Sequence, residues 1–445
     1  MKNQKLINRR NFLKASMTGV VGAGMLPGSN KPLDRAPIQN EMPKIKEYRV
    51  LGRTGFKVSD IGAGASFLTN TNVAEAALDM GINYLDTGEH YSGGNSERTI
   101  GEAIKKRNRN SIFIATKLNM RFGGGDTKEI LRNRFMKCLE RLQTNYVDCL
   151  MIHMCIFDEI KHENFRALAR ELKAEGKIRF IGLSNHGTEQ RIYGNLEEPM
   201  EKVLLAAVED GRFDVVLFVY NFLQKEQGEK IINACSGKNM GVTLMKTNPV
   251  KVYSRWKADT DRMAESGRKI PDRLVKLGED YQTWLKGADA FKKKYGLNND
   301  AEVRDCAIKF VLSHPGVHTV CPSFNNFEDL EAFVRLSGKK LTSEDASLLN
   351  DYESTRGRLY CRHACGTCEK ACPHQVPVNT IMRYNHYFEA QGQEKYAMRK
   401  YAELERNRAD RCQECAGSCE AACPFQIPVR SLLVAAHQNL MLASE

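Results

Sequence analysis

From about residue 46 to 340, short apolar runs alternate with stretches whose apolar residues recur three and four apart. The short runs predict strands at 61–65, 83–86, 112–117, 148–153, 179–184, 215–219, 241–246 and 318–321. The stretches between them predict amphipathic helices, 164–175 among them. Eight strands with intervening helices over roughly 290 residues suit an α/β (β/α)8 TIM barrel better than a doubly wound sheet. The opening Tyr48-Arg49-Val50-Leu51-Gly52-Arg53-Thr54-Gly55 reads as a hairpin placed to plug the barrel bottom. Residues 251–300 are charged and helix-prone, and read as an insertion after strand seven. Beyond a linker at 341–360, a small domain at 361–445 carries helical patterns at 378–391 and 394–408.

On this pattern, reactive side chains fall at strand ends. Asp86 ends strand two, Lys117 strand three, His153 strand four, and Ser184-Asn185 strand five. Tyr91 follows Asp86 in the next loop. Barrel active sites lie at the C-terminal ends of the strands. One such residue would more often be structural; four at successive ends with a nearby tyrosine point to a site. The set suits carbonyl reduction. A ketone that accepts a hydride becomes an alkoxide and needs a proton. A phenol is a poor acid at its ordinary pKa of about 10, and a neighbouring ammonium lowers it. Lys117 is expected to do this for Tyr91, with Asp86 holding Lys117 charged and aimed. His153 would orient the substrate oxygen. Ser184 and Asn185 are placed to bind an amide such as the nicotinamide carboxamide. His90 and His186 either line the pocket or face solvent.

The chain has 445 residues and a net charge of +12, from 66 basic and 54 acidic side chains. It carries no dense Lys/Arg stripe and no nucleic-acid module, which argues against nucleic-acid binding. No apolar run is long enough to span a bilayer. The fourteen cysteines change the picture more. Eight form two runs, Cys361, Cys365, Cys368, Cys372 and Cys412, Cys415, Cys419, Cys423, each ending in Cys-Pro. Thiolates at such spacing converge on a soft metal centre, and the closing Cys-Pro is typical of runs that hold [4Fe-4S] clusters. Four-cysteine zinc sites usually split into two well-separated Cys-x2-Cys pairs. Disulfides suit an exported chain, but residues this close are poorly placed to bridge. Cys138, Cys149, Cys155, Cys235, Cys306 and Cys321 lie in apolar barrel segments and read as packing residues.

The first thirty residues read as an address. Arg9-Arg10-Asn11-Phe12-Leu13-Lys14 precedes a Gly/Ala-rich stretch, the layout of a twin-arginine export signal. Residues 31–45 read as a linker. Gly19, Gly22 and Gly24 follow no strand, so they are not a dinucleotide loop. The expected location is periplasmic, with membrane contact only in transit.

Residues 46–340 resemble the aldo-keto reductases. The likeness rests on Tyr48–Gly55, on Asn83-Tyr84-Leu85-Asp86-Thr87 with His90-Tyr91 and Gly94-Asn95-Ser96-Glu97, and on Phe113-Ile114-Ala115-Thr116-Lys117. Asp148-Cys149-Leu150-Met151-Ile152-His153 and Ile181-Gly182-Leu183-Ser184-Asn185 complete it. The resemblance implies an Asp86, Tyr91, Lys117, His153 tetrad, a nicotinamide cofactor (NAD or NADP), and a small carbonyl or alcohol substrate. It implies cofactor contacts at Ser184, Asn185, Tyr220, Met245, Pro322 and Ser323. Leu217 stands where the family usually has Gln, and Met245 where an aromatic often stacks on nicotinamide. Ser323 and Asp329 stand where a 2′-phosphate would meet cations. The whole chain resembles the branch with a C-terminal iron-sulfur domain and an export signal. Likeness to two-cluster ferredoxins implies one cluster on Cys361, Cys365, Cys368 and Cys423, the other on Cys412, Cys415, Cys419 and Cys372; pairing within each run is the alternative. Hydride transfer moves two electrons and a cluster takes one, so a redox partner with a flavin or quinone is expected. A silent barrel serving an electron-transfer subunit is the rival reading. A potassium-channel-type accessory barrel shares the fold but gives the cysteines no purpose.

Overall fold

The computed structural model describes residues 42–120, 126–187, 198–249, 290–297, 300–404 and 407–441. The expected export signal, most of the 31–45 linker and most of the 251–300 insertion lie outside these residues.

Ten strands are present among the described residues. β1 (Tyr48–Val50) and β2 (Lys57–Ser59) form an antiparallel hairpin. The eight others, β3 (Ala63–Gly64), β4 (Tyr84–Asp86), β5 (Phe113–Leu118), β6 (Val147–Ile152), β7 (Ile178–Asn185), β8 (Val215–Val219), β9 (Gly241–Met245) and β10 (Thr319–Val320), run parallel in sequence order. A parallel bridge from Ile61 to Val320 joins the last strand to the first and closes the barrel. The outer layer consists of α1 (Thr71–Asp79), α2 (Asn95–Ile104), α3 (Lys128–Leu142), α4 (Glu163–Ala174), α5 (Met200–Asp210), α6 (Lys225–Gly237), α7 (Asp300–Leu312) and α8 (Phe327–Val334).

The barrel has two cores. Outward residues such as Ile114, Leu150 and Val216 pack with the helices. Inward residues Tyr84, Phe113, Ala115, Cys149, Met151, Val215 and Leu217 fill the interior with Leu51 and Val58 of the hairpin. The hairpin is therefore the expected bottom plug. Stacked rings of Tyr84 and Phe113, 5.4 Å apart, form the floor. Side chains alternate faces along a strand. The column Phe113, Ala115, Lys117 therefore climbs from floor to rim, as do Tyr84 to Asp86 and Cys149, Met151 to His153. The same period that buries the core thus delivers the polar side chains to the mouth. All six barrel cysteines are buried, as packing residues should be.

The stretch 341–360, expected to be a linker, is mostly helix. α9 (Ser343–Arg356) starts on a capping box in which Thr342 and Asp345 cap each other, and Asp345 also pairs with Lys309 of α7 at 2.9 Å. A linker needs exposed, unpaired backbone; this capped segment instead buries Leu348, Leu349 and Tyr352 with Phe222 and Val303 of the barrel. Next come α10 (Val378–Ala390), α11 (Glu394–Ala402), a short turn (Ser418–Ala421) and α12 (Val429–Leu440). α11 ends earlier than the expected residue 408. Both Cys-Pro runs lead into a helix by the same turn. Gln375 and Gln426 each sit at φ 51° three residues after the last cysteine, and Pro377 and Pro428 each cap the next helix. The described residues form one compact unit.

Candidate active site

Asp86, Lys117, Tyr91 and His153 meet at the barrel mouth. Lys117, fully buried, donates to Asp86 Oδ1 at 2.5 Å and to the Thr87 carbonyl at 2.6 Å. Its Nζ lies 4.7 Å from the centre of the Tyr91 ring. The Tyr91 and His153 rings are 5.6 Å apart, edge to face. Tyr91 is held by a tight loop: Ser92, Gly93 and Gly94 all take left-handed φ, from 50° to 85°. Ser92 Oγ donates to the Ser66 carbonyl at 2.9 Å. Glu89 anchors the other side of that loop, accepting from the Asn119 amide at 2.9 Å and pairing with Arg134.

The electrostatics correct one expectation. The Tyr91 phenol is not lowered on balance: burial pushes it well above its ordinary value, and the Asp86 carboxylate adds to the rise. The ammonium is bound to Asp86 and Thr87 and faces the ring of Tyr91. His153 is held well below its ordinary value by burial, then by the Lys117, His90 and Arg383 charges. The site at neutral pH therefore presents a protonated phenol beside a neutral imidazole.

The expected cofactor contacts divide. Ser184 and Asn185 stand buried at the end of β7 beside His153. Ser184 Oγ accepts from the Met154 amide at 3.3 Å, and Asn185 Nδ2 donates to the Cys155 carbonyl at 2.8 Å. Met245 and Pro322 lie at the ends of β9 and β10, and Ser323 Oγ is 3.4 Å from Ser66 Oγ. Tyr220 is elsewhere: its ring packs against Phe310 and His314, 5.5 and 6.0 Å away. One residue past β8, it takes the outward face and lies over Gly228 of α6, where even a Cβ would meet it at 2.2 Å.

The profile of the aldo/keto reductase family matches residues 60–353. The chain belongs to the aldo/keto reductase family. An uncharacterized oxidoreductase of Bacillus subtilis, YqkF, is 35% identical over 329 residues, covering 71% of this chain and 98% of that protein. L-galactose dehydrogenase of Arabidopsis thaliana is 41% identical over 159 residues, 32% of this chain and 49% of that enzyme. A solved aldo-keto reductase from Bacillus halodurans, in its holo form, superposes with a TM-score of 0.51 at 22% identity, over 72% of this chain and 99% of that one, a likeness of fold. The family and its oxidoreductase relatives make this chain an oxidoreductase of aldo/keto reductase type.

In this reductase the segment beyond the matched residues covers the barrel mouth. Arg383 of α10, 1% exposed, donates to the His186 carbonyl at 3.3 Å. Lys246, just after β9 at φ 52°, reaches the Tyr387 hydroxyl at 3.4 Å. Tyr396 of α11 meets Phe67 of the barrel at 6.0 Å. The seam continues at 357–364, where Asn221 Nδ2 donates to the Tyr360 hydroxyl at 3.0 Å and Gln224 bonds both backbone groups of His363. Sequence reasoning missed Lys246, Arg383, His386 and Tyr387. Its available signal was the spacing of Arg383, His386 and Tyr387, three and four residues apart, on one face of α10.

The eight terminal cysteines form two groups. Cys361, Cys365, Cys368 and Cys423 line one cavity with Arg362, Asn379 and Phe425. Burial raises the Cys361 thiol well above its ordinary value, with Cys368, Cys365 and Cys423 the nearest charges adding to it. The Cys412 thiol is pushed up to about 12 by burial, then by Cys419, Cys372 and Cys415. The last cysteine of each run thus faces the other run. Donors point at the sulfurs: the Val376 amide at Cys372 and the Gly417 amide at Cys415, both at 3.4 Å. Among the described residues no three His, Cys, Asp or Glu side chains are grouped closely enough for a single metal ion. A cubane spaces its thiolates more widely than one ion does, and quartets with amide donors suit it.

Proposed function

We propose that the chain is an exported iron-sulfur oxidoreductase that interconverts a carbonyl and an alcohol at Tyr91, and exchanges electrons with a partner through two [4Fe-4S] clusters. The observation that carries the catalytic half is the assembled tetrad. Tyr91 is protonated and carries the proton that an alkoxide needs; burial makes it a weaker acid than a free phenol, so it yields that proton only to a strong base such as the alkoxide itself. Nicotinamide, when bound, supplies the hydride. Tyr91 gives its proton to the alkoxide oxygen. Lys117, held by Asp86 against the Tyr91 ring, faces the phenolate that remains, and neutral His153 donates a hydrogen bond that orients the substrate oxygen. Ser184 and Asn185 have the donor chemistry and position for the carboxamide. Ser323 and Asp329 offer no cation to a 2′-phosphate. Replacing Tyr91 by Phe should cut carbonyl turnover by ~10²–10⁴-fold; unchanged turnover of every carbonyl tried would end this reading.

The two cysteine quartets support the electron-transfer half. Cys361, Cys365, Cys368 and Cys423 would hold the cluster nearer the barrel, and Cys412, Cys415, Cys419 and Cys372 the other. The clusters supply one-electron transfer; pairing that with hydride chemistry calls for a partner bearing a flavin or quinone. Arg9-Arg10 and Phe12-Leu13 support export in the folded state, since clusters are assembled before the membrane is crossed. Iron and sulfide analysis with a visible spectrum of anaerobically purified protein tests this half. Colourless protein with stoichiometric zinc would refute it.

Two observations favour a second reading. The Asn185 amide is bonded to Cys155, and α10 lies over the mouth. On that reading the barrel binds no nicotinamide and the chain serves as an electron-transfer or binding subunit. Titration with NAD(H) and NADP(H) separates the two, since the second reading requires that neither bind.

A further inference from the structure

The boundary between the barrel mouth and α10 gathers polar groups that the tetrad does not use. Arg383 is buried there and its bond to the His186 carbonyl holds the guanidinium over the end of β7. The His186 ring lies 6.1 Å from the His153 ring, edge to face. The buried His186 Nδ1 has no hydrogen-bond partner beyond a contact with its own backbone. A buried ring nitrogen without a partner is costly to maintain, and a ligand atom would satisfy it. Lys246 closes the opposite side, against Tyr387.

Lys117 and Arg383 act on His153, and Lys246 and Arg383 act on His186. Low-dielectric surroundings strengthen such a field. A guanidinium is suited to two-pronged recognition of a carboxylate.

A substrate whose carbonyl sits between Tyr91 and His153 must place its neighbouring substituent somewhere along the mouth. The direction from His153 through His186 leads to Arg383. We propose that α10 forms the roof of the substrate site and that Arg383, with His186, binds a carboxylate on the substrate, so that the enzyme acts on a small oxo- or hydroxy-acid. The terminal domain then has two tasks: it carries the cysteines, and it completes substrate recognition. The inference rests on the reading of Tyr91 and His153 as the reaction centre.

Calorimetric titration of the intact holoprotein with oxalate, with its uncharged counterpart oxamide, and with inorganic phosphate tests it. Oxalate should bind, and oxamide should not. Arg383→Gln should weaken oxalate at least tenfold, while Arg383→Lys should recover part of the loss. Tyr91→Phe should keep oxalate binding while turnover falls; unchanged turnover in that variant would sink the reaction centre, whereas unchanged oxalate binding in Arg383→Gln would sink this proposal. Should the Arg383→Gln protein not fold, Lys246→Met carries the same comparison with a smaller expected loss. Oxalate bound equally by wild type and the charge-removed variants would overturn the proposal. So would oxamide binding as tightly as oxalate, or phosphate binding in place of oxalate, which would mark a phosphate site.

Discussion

Lys117 holds the centre of the site because it is a fully buried cation with a buried carboxylate as its partner. Asp86 is raised by its own burial, against which Lys117 acts. Removing one member leaves an uncompensated charge. Lys117→Met should cost ~3–5 kcal/mol of stability, with Asp86→Asn in the same chain recovering much of it. Denaturant melts of the single and double variants measure this, and additive losses would contradict the coupling. A second buried group gives a pH signature away from the site. His318 Nδ1 accepts from the Val242 amide at 3.0 Å, a bond that requires the neutral ring. Burial lowers its affinity for protons below the ordinary value of 6.5. The unfolded chain therefore binds the proton first as pH falls below ~6.5, and stability drops there until the folded ring also titrates. His318→Asn keeps an acceptor and removes the titration, so its melting temperature should fall less between pH 7 and pH 5. An identical pH slope in both proteins would refute the assignment.

At the scale of elements, the strand alternation that fills the barrel also sets its tolerances. Gly182 lies mid-way along β7, where a Cβ would stand 2.5 Å from the Val215 carbonyl of β8. That neighbour is backbone and cannot swing aside. Gly182→Ala should cost ~1–3 kcal/mol and disturb Ser184 two residues on, on the same face. A calorimetric midpoint equal to wild type would show that the strands separate more easily than this contact implies. The strand ends were legible because a period of two is local: it put Asp86, Lys117, His153 and Ser184 at the rim. The family resemblance, not the alternation, put Tyr220 among the cofactor contacts. One residue beyond β8 the chain keeps its alternation and the ring turns outward to Phe310, a partner ninety residues away that no local pattern marks. α9 was misread as a linker for a related reason. Its polar residues suggested exposure, while its few apolar ones pack against barrel side chains distant in sequence.

For the whole molecule, Cys423 of the second run lines one cavity with Cys361, Cys365 and Cys368 of the first. On the proposed assignment, Cys423→Ser should disturb the cluster of Cys361, Cys365 and Cys368 and leave the other intact, about halving the cluster signal in spin-quantified spectra of the reduced protein. Loss confined to the cluster of Cys412, Cys415 and Cys419 would restore pairing within runs. The sequence by itself determined the elements, because strand and helix periods and the Cys-Pro spacings are properties of neighbouring residues. It also determined which side chains reach the barrel rim and which residues carry the family likeness. Tertiary structure alone decided three things: that α10 roofs the mouth, that Cys423 shares a cavity with Cys361, Cys365 and Cys368, and that burial raises the Tyr91 phenol. Each depends on burial and on contacts between residues far apart in the chain, such as Arg383 with His186. Those arise only when a hydrophobic core brings distant segments together and shields their charges from water.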